Sequence, residues 1–152
     1  METTKDNPMA GLWALVSYVV RMADGSESTP LGPDAIGYLH YGRDGVVAGI
    51  MMARGRPHFT TGNRLGASAE EKVRAWDSVV TYMGIYEFRG DTVVHRIRAS
   101  VFPDWTGVDQ LRHRQVLPNG HVVLSNTLVE RGVQREAIAT WRRIQPDEMA
   151  AG

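Results

Sequence analysis

The chain alternates apolar and polar residues in short runs, and turn residues stop each run within about ten positions. A period of two sends successive side chains to opposite faces of an extended strand. Gly42-Arg43-Asp44-Gly45, Gly90-Asp91, Pro118-Asn119-Gly120 and Arg131-Gly132 separate such runs at hairpin spacing. Read this way, the chain holds about eight strands: Leu12 to Arg21, Ile36 to Tyr41, Val46 to Met52, Tyr82 to Phe88, Thr92 to Val101, Val108 to Leu117, Val122 to Leu128 and Val133 to Ile144. One segment departs from the pattern. Ser68 with Glu71 three residues on is a capping box, Val73, Trp76 and Val80 share a helical face, and Glu70–Arg74 is a favourable i,i+4 pair. The spacing predicts one helix over residues 69–80. Strands and helices do not take turns, so a parallel sheet is excluded and an antiparallel all-β fold is expected.

A large ring stands near each end, in Gly11-Leu12-Trp13 and in Trp141-Arg142-Arg143. Terminal strands that meet and share one packed end are what a sheet closed on itself requires, and a small closed barrel is a natural container. The 152 residues suit one such domain over 11–145. Residues 1–10 read as a disordered lead, and 146–152 as a frayed tail.

Several functions are excluded or disfavoured at this stage. Seventeen basic and seventeen acidic residues leave no net field toward nucleic acid or an anionic membrane. No run approaches a membrane span and the first ten residues hold no apolar signal core, so the expected location is cytoplasmic. The chain has no cysteine, which removes disulfides, thiolate metal sites and cysteine nucleophiles. His40, His58, His95, His113 and His121 show no metal-ligand spacing, no phosphate-binding or dinucleotide motif is present, and no cofactor is expected. Only Lys5 and Lys72 are lysines, so an anion site here would be built from arginine.

Chemistry has to come from the interior face. In Thr92 to Val101, Arg96 and Arg98 share one side while Val93, His95, Ile97 and Ala99 share the other, which turns His95 inward. An inward imidazole is either an acid–base group near neutral pH or a core histidine tied to a carbonyl or tyrosine hydroxyl. Arg112 shares a face with Gln110 and Arg114, and the pattern alone does not say which face is inside. If buried, Arg112 needs a carboxylate such as Asp109 or Glu87, or else an anionic ligand. Tyr41, Tyr82, Tyr86 and Met51 are candidate cavity lining, with Gly84 leaving space between the last two tyrosines on their strand. Trp105, in the loop after Pro103-Asp104, is a lid or a packed plug. Arg54, Arg56 and His58 form a basic stretch that either gates the entrance or is simply solvated. In the first strand Val16, Tyr18 and Val20 form an apolar outer face, a candidate homodimer surface if the barrel is filled by its own side chains.

GLWALVS (11–17), IGYLHYGRDG (36–45), RGRPHF (54–59), the EEK helix start (70–72), YMGIYEF (82–88), VVHRIRASVFPDWTGVDQLR (93–112) and TWRRI (140–144) together resemble the bacterial and fungal lipocalin-like domain family. The resemblance covers nearly all of residues 10–144. It implies an up-and-down antiparallel barrel with an internal cavity, Trp13 stacked beneath Arg143 at the closed end, and Gln110 and Arg112 inside. The expected partner is a hydrophobic small-molecule metabolite, and Asn126 is a further ligand-binding candidate. The function expected on these grounds is a cofactor-free isomerase or cyclase of a natural-product intermediate, with His95 and Arg112 as catalytic residues. The alternative is a carrier, sensor or sequestering protein that uses the same cavity without chemistry.

Overall fold

The two terminal strands do meet. In a computed structural model that describes residues 7–149, β1 (Gly11–Met22) runs antiparallel to β9 (Val133–Ile144), from Leu12↔Ile144 to Met22↔Arg135. Between them come β3 (Ile36–Tyr41), β4 (Val46–Met52), β5 (Val79–Phe88), β6 (Thr92–Ser100), β7 (Asp109–Val116) and β8 (Val122–Glu130), each paired antiparallel with its neighbours. The result is a closed eight-stranded antiparallel barrel, all-β and up-and-down. A two-residue strand, β2 (Glu27–Ser28), pairs only with the far end of β1. Helix α1 (Ala69–Asp77) connects β4 to β5. Its capping box forms as expected, with Glu71 N–H donating to Ser68 Oγ at 3.1 Å and Ser68 N–H to Glu71 Oε1 at 3.3 Å. The helix stops at Asp77 rather than at 80, because Val79 and Val80 are already paired with Met52 and Met51 of β4.

Two bulges reset the alternation. Leu15 pairs with Trp141 but Ser17 with Thr140, so Val16 is an extra residue in β1. Before it Trp13 and Leu15 face inward; after it Tyr18 and Val20 do, opposite Ala139 and Ala137. The expected outer face of Val16, Tyr18 and Val20 therefore does not exist: of the three, only Val16 is an exposed apolar residue. Exposed apolar side chains gather instead on β4 and β5, at Ile50, Met83 and Ile85. The second extra residue is Arg98, between Met83↔Ala99 and Gly84↔Ile97. It keeps Val93, His95 and Ile97 inside but turns Ala99 out beside Met83. Gly84 belongs to this bulge, since a Cβ there would strike the Arg96 carbonyl.

The closed end is sealed by residues read from the sequence as part of a disordered lead. Met9 and Ala10 are buried, and Trp13 donates its indole N–H to the Met9 carbonyl at 2.9 Å. Arg143 stacks on Trp13 at 4.3 Å and donates to the carbonyls of Ala10, at 2.6 Å, and Pro8. Residues 1–6 of that segment lie outside the described residues. At the other terminus Pro146–Met149 form one helical turn, α2, tied back by Gln145 N–H to Glu148 Oε2 at 2.7 Å, and 150–152 lie outside the described residues.

Candidate functional site

Inward positions from every wall converge on one cavity. Leu39, Met51, Val80, Tyr82, His95 and Arg112 come from β3 to β7; Tyr18, Leu124, Asn126, Leu128, Ala137, Ala139 and Trp141 come from β1, β8 and β9; Trp105 reaches in from a single 3₁₀ turn, Pro103–Trp105. The space among them, its mouth included, is about 500 Å³, of which the centre of a water-sized sphere reaches only about 50 Å³. Space for the centre of a water-sized sphere exists inside, so the cavity admits water as it stands. Ala137 and Ala139 create the space, because every larger side chain at those two positions of β9 would fill it.

His95 is fully buried, and both ring nitrogens are taken. Tyr41 Oη lies 2.6 Å from Nε2 and Tyr82 Oη 3.0 Å from Nδ1. Tyr82 reaches the ring by lying over Gly49, where a Cβ would approach the phenol to 3.7 Å. Tyr41 is itself wholly buried, and its hydroxyl has no other hydrogen-bond partner among the described residues. Donor and acceptor roles follow the tautomer: with the proton on Nδ1, Tyr41 O–H donates to Nε2, Nδ1–H donates to Tyr82, and the Tyr82 hydroxyl proton is not used by the ring. Burial, reinforced by the nearby Arg112 charge, pushes His95 well below the ordinary imidazole value, and burial pushes Tyr41 well above the ordinary phenol range. Histidine and tyrosine are both neutral at pH 7. Both ring nitrogens are thus held by tyrosine hydroxyls.

Arg112 and Gln110 are inside, as the resemblance implied, because they share β7 faces with Val93 and His95 of β6. Arg112 is 9% exposed and donates to Gln110 Oε1 at 2.6 Å, with its guanidinium carbon 5.9 Å from the Tyr82 ring centre. No carboxylate pairs with it among the described residues. The two partners considered from the sequence, Glu87 and Asp109, bind Arg96 on the outer face at 2.9 and 2.6 Å. Among the described residues its hydrogen-bond partner is thus the neutral Gln110 amide.

Of the sequence candidates, His95, Arg112, Met51, Tyr82, Trp105 and Asn126 line the cavity. Tyr41 stands behind His95, and Gln110 serves Arg112. Tyr86 is directed to the floor, where it donates to the Gly42 carbonyl and accepts from Asn7 Nδ2, both at 2.8 Å. Arg114 goes the same way, to Gly90 O and Met9 Sδ. Arg54, Arg56 and His58 border a separate, more open cleft of about 860 Å³, mouth included, against α1, where Arg56 holds Ser78 Oγ and the Ala75 carbonyl. Sequence reasoning missed Tyr18, Ala137, Ala139 and Trp141. The alternation of β9 would have found the last three; the bulge at Val16 hides Tyr18.

A closed antiparallel barrel around a small cavity with one buried cation defines a container class of protein. The lipocalin-like domain family matches residues 10–144, and the chain belongs to that family. No curated protein matches it.

Proposed function

We propose that the barrel binds a small, mostly apolar molecule through one acidic or enolic oxygen, held jointly by the Arg112 guanidinium and the Tyr82 hydroxyl. The observation that carries this reading is the buried arginine beside the cavity without a carboxylate partner. Placing an anion there supplies the missing counter-charge in a low-dielectric site, where charge-assisted hydrogen bonds are strongest. Leu39, Met51, Val80 and Leu124 supply the apolar wall. Binding of 4-isopropylbenzoate and of 4-isopropylbenzyl alcohol, compared by calorimetry, tests it. The acid is expected to bind at least about tenfold tighter, and Arg112→Met to erase the preference in a folded protein. Equal affinities in the wild-type protein would overturn the assignment.

The finer reading is a cofactor-free isomerase or cyclase acting on a hydrophobic intermediate of bacterial natural-product biosynthesis. In that reaction Arg112 and Tyr82 stabilise the enolate oxygen. Tyr82 carries the proton, giving it up at one atom of the substrate and recovering it from another, while His95 Nδ1–H steadies the phenol oxygen. His95 is then a positioning residue, since neither ring nitrogen is free to meet substrate. Deuterium exchange into the α-position of 1-indanone measures the step: catalysed exchange that Tyr82→Phe abolishes is the expected result, and exchange equal to buffer sinks it. One observation favours the non-catalytic carrier instead: among the described residues no aspartate or glutamate lines the cavity to serve as a separate base.

A further inference from the structure

Trp141 is 4% exposed, lines the cavity, and its indole nitrogen has no hydrogen-bond partner among the described residues. A buried indole N–H normally finds an acceptor, and the Trp13 N–H does so at the Met9 carbonyl. The nitrogen itself exposes less than 1 Å² to a water-sized sphere, so an acceptor meets it only as the cavity opens around a ligand. On the inward face of β9 the next two residues toward the mouth are Ala139 and Ala137, which leave a trough above the indole. Tyr18 stands opposite Ala139 and Asn126 opposite Ala137, and neither side chain has a hydrogen-bond partner among the described residues. Polar groups without partners thus follow one another along the same wall.

Arg112 lies at the other end of this trough. Carrying the β7–β8 register one residue past His113↔Ser125 sets Arg112 beside Asn126, whereas Trp141 pairs with Val122. Those two β8 positions are four residues apart, roughly 13 Å at about 3.3 Å per residue. The guanidinium and the indole therefore approach the cavity from opposite ends.

We infer that Trp141 is a specificity-determining residue whose N–H receives an acceptor oxygen at the far end of a ligand anchored by its acid on Arg112. The inference rests on the proposed anion site at Arg112. It narrows the ligand class to an elongated apolar acid that carries a carbonyl or hydroxyl oxygen several bonds from the acid. An indole N–H only donates, so a hydrocarbon or ammonium group at that end leaves it unsatisfied.

Two pairs of probes test this: 4-acetylbenzoate against 4-isopropylbenzoate, and 3-(4-acetylphenyl)propanoate against its isopropyl counterpart, which differ in length. Calorimetry on wild-type protein and Trp141→Phe gives the affinities, and the ¹⁵N–¹H indole resonance missing from the variant reports on the donor directly. For at least one length the acetyl probe is expected to bind about tenfold tighter than the isopropyl probe and to move that resonance downfield. In Trp141→Phe the ratio falls to one through loss of acetyl affinity alone. Equal affinities for both lengths in wild type, or a ratio that survives in Trp141→Phe, overturn the inference. If Arg112→Met abolishes binding of all four probes in that case, the anion site stands without it. If Arg112→Met changes nothing, or none of the probes binds wild type, the anion site and the inference fall together. Should Trp141→Phe not fold, the acetyl-to-isopropyl ratio and a downfield indole shift in wild type decide.

Discussion

The barrel buries a tryptophan and an arginine in contact at its floor, and another tryptophan and arginine, apart from each other, in its cavity. At the floor, Trp13 and Arg143 stack at 4.3 Å, and their donors end on the carbonyls of Met9, Ala10 and Pro8. In the cavity, among the described residues, Trp141 has no acceptor and Arg112 has a neutral amide as its hydrogen-bond partner. The same two residue types thus close the structure at one end and leave it chemically incomplete at the other. Buried polar groups that are fully partnered hold a fold in one shape; those without partners are where a ligand gains most.

Truncation should separate the two ends most strongly. Trp13→Ala removes a ring that is 3% exposed, along with the surface on which Arg143 stacks. A loss of about 3–5 kcal/mol is expected from denaturant unfolding. A loss under about 1 kcal/mol would mean that residues 7–10 do not fix the floor and would dissolve the contrast.

The relay between the two ends should be intermediate. Tyr41→Phe removes the one partner of His95 Nε2 among the described residues and leaves a buried ring nitrogen unpaired, at a cost of about 1–3 kcal/mol. Acid acts on the same group. His95 is depressed below its ordinary value of 6.5 by burial and by Arg112, so the unfolded chain takes up its proton first. Stability from this residue is fully present above about pH 6.5 and is lost as pH falls toward the folded-state value, with a slope of up to about 1.4 kcal/mol per pH unit. The titratable and charged groups around it are Tyr41, Tyr82 and Arg112. Unfolding midpoints between pH 6.5 and 5, before the carboxylates titrate, should fall in the wild-type protein and stay flat in His95→Gln. Equal slopes would show that burial does not weaken proton binding by this imidazole.

Alternation and turn chemistry were enough to read the closed antiparallel barrel, the helix start at Ser68 and the inward turn of His95. Those features depend on local patterns that the tertiary structure leaves intact. The bulges at Val16 and Arg98 were not legible, since each is one extra residue in an unbroken strand and is set by pairing across the sheet. Tyr18 changed sides for that reason, and with it went the supposed apolar outer face of β1. The packing of Asn7–Ala10 was equally hidden, because nothing in a short polar segment announces that Trp13, Arg114, Arg143 and Tyr86 all reach for it. Which tyrosine meets His95 and which meets the floor also depends on long-range geometry: Tyr82 and Tyr86 share one face of β5, yet only Tyr82 reaches the imidazole.

The smallest expected effect on stability tests the comparison most sharply. Replacing a buried charge that lacks a counter-ion by an apolar side chain of similar length removes a desolvation cost and forfeits little attraction. Arg112→Met should therefore unfold at the same denaturant concentration as wild type or slightly higher, within about 1 kcal/mol, while losing affinity for carboxylates. Arg143→Met, the matching change at the floor, breaks two hydrogen bonds to carbonyls and a stack on Trp13 and should destabilise. Arginines of one chain that respond in opposite directions to one substitution would establish that the floor was built for stability and the cavity for something that enters it. If Arg112→Met instead destabilises as much as Arg143→Met, the cavity arginine is structural, and the anion it was assigned has no place there.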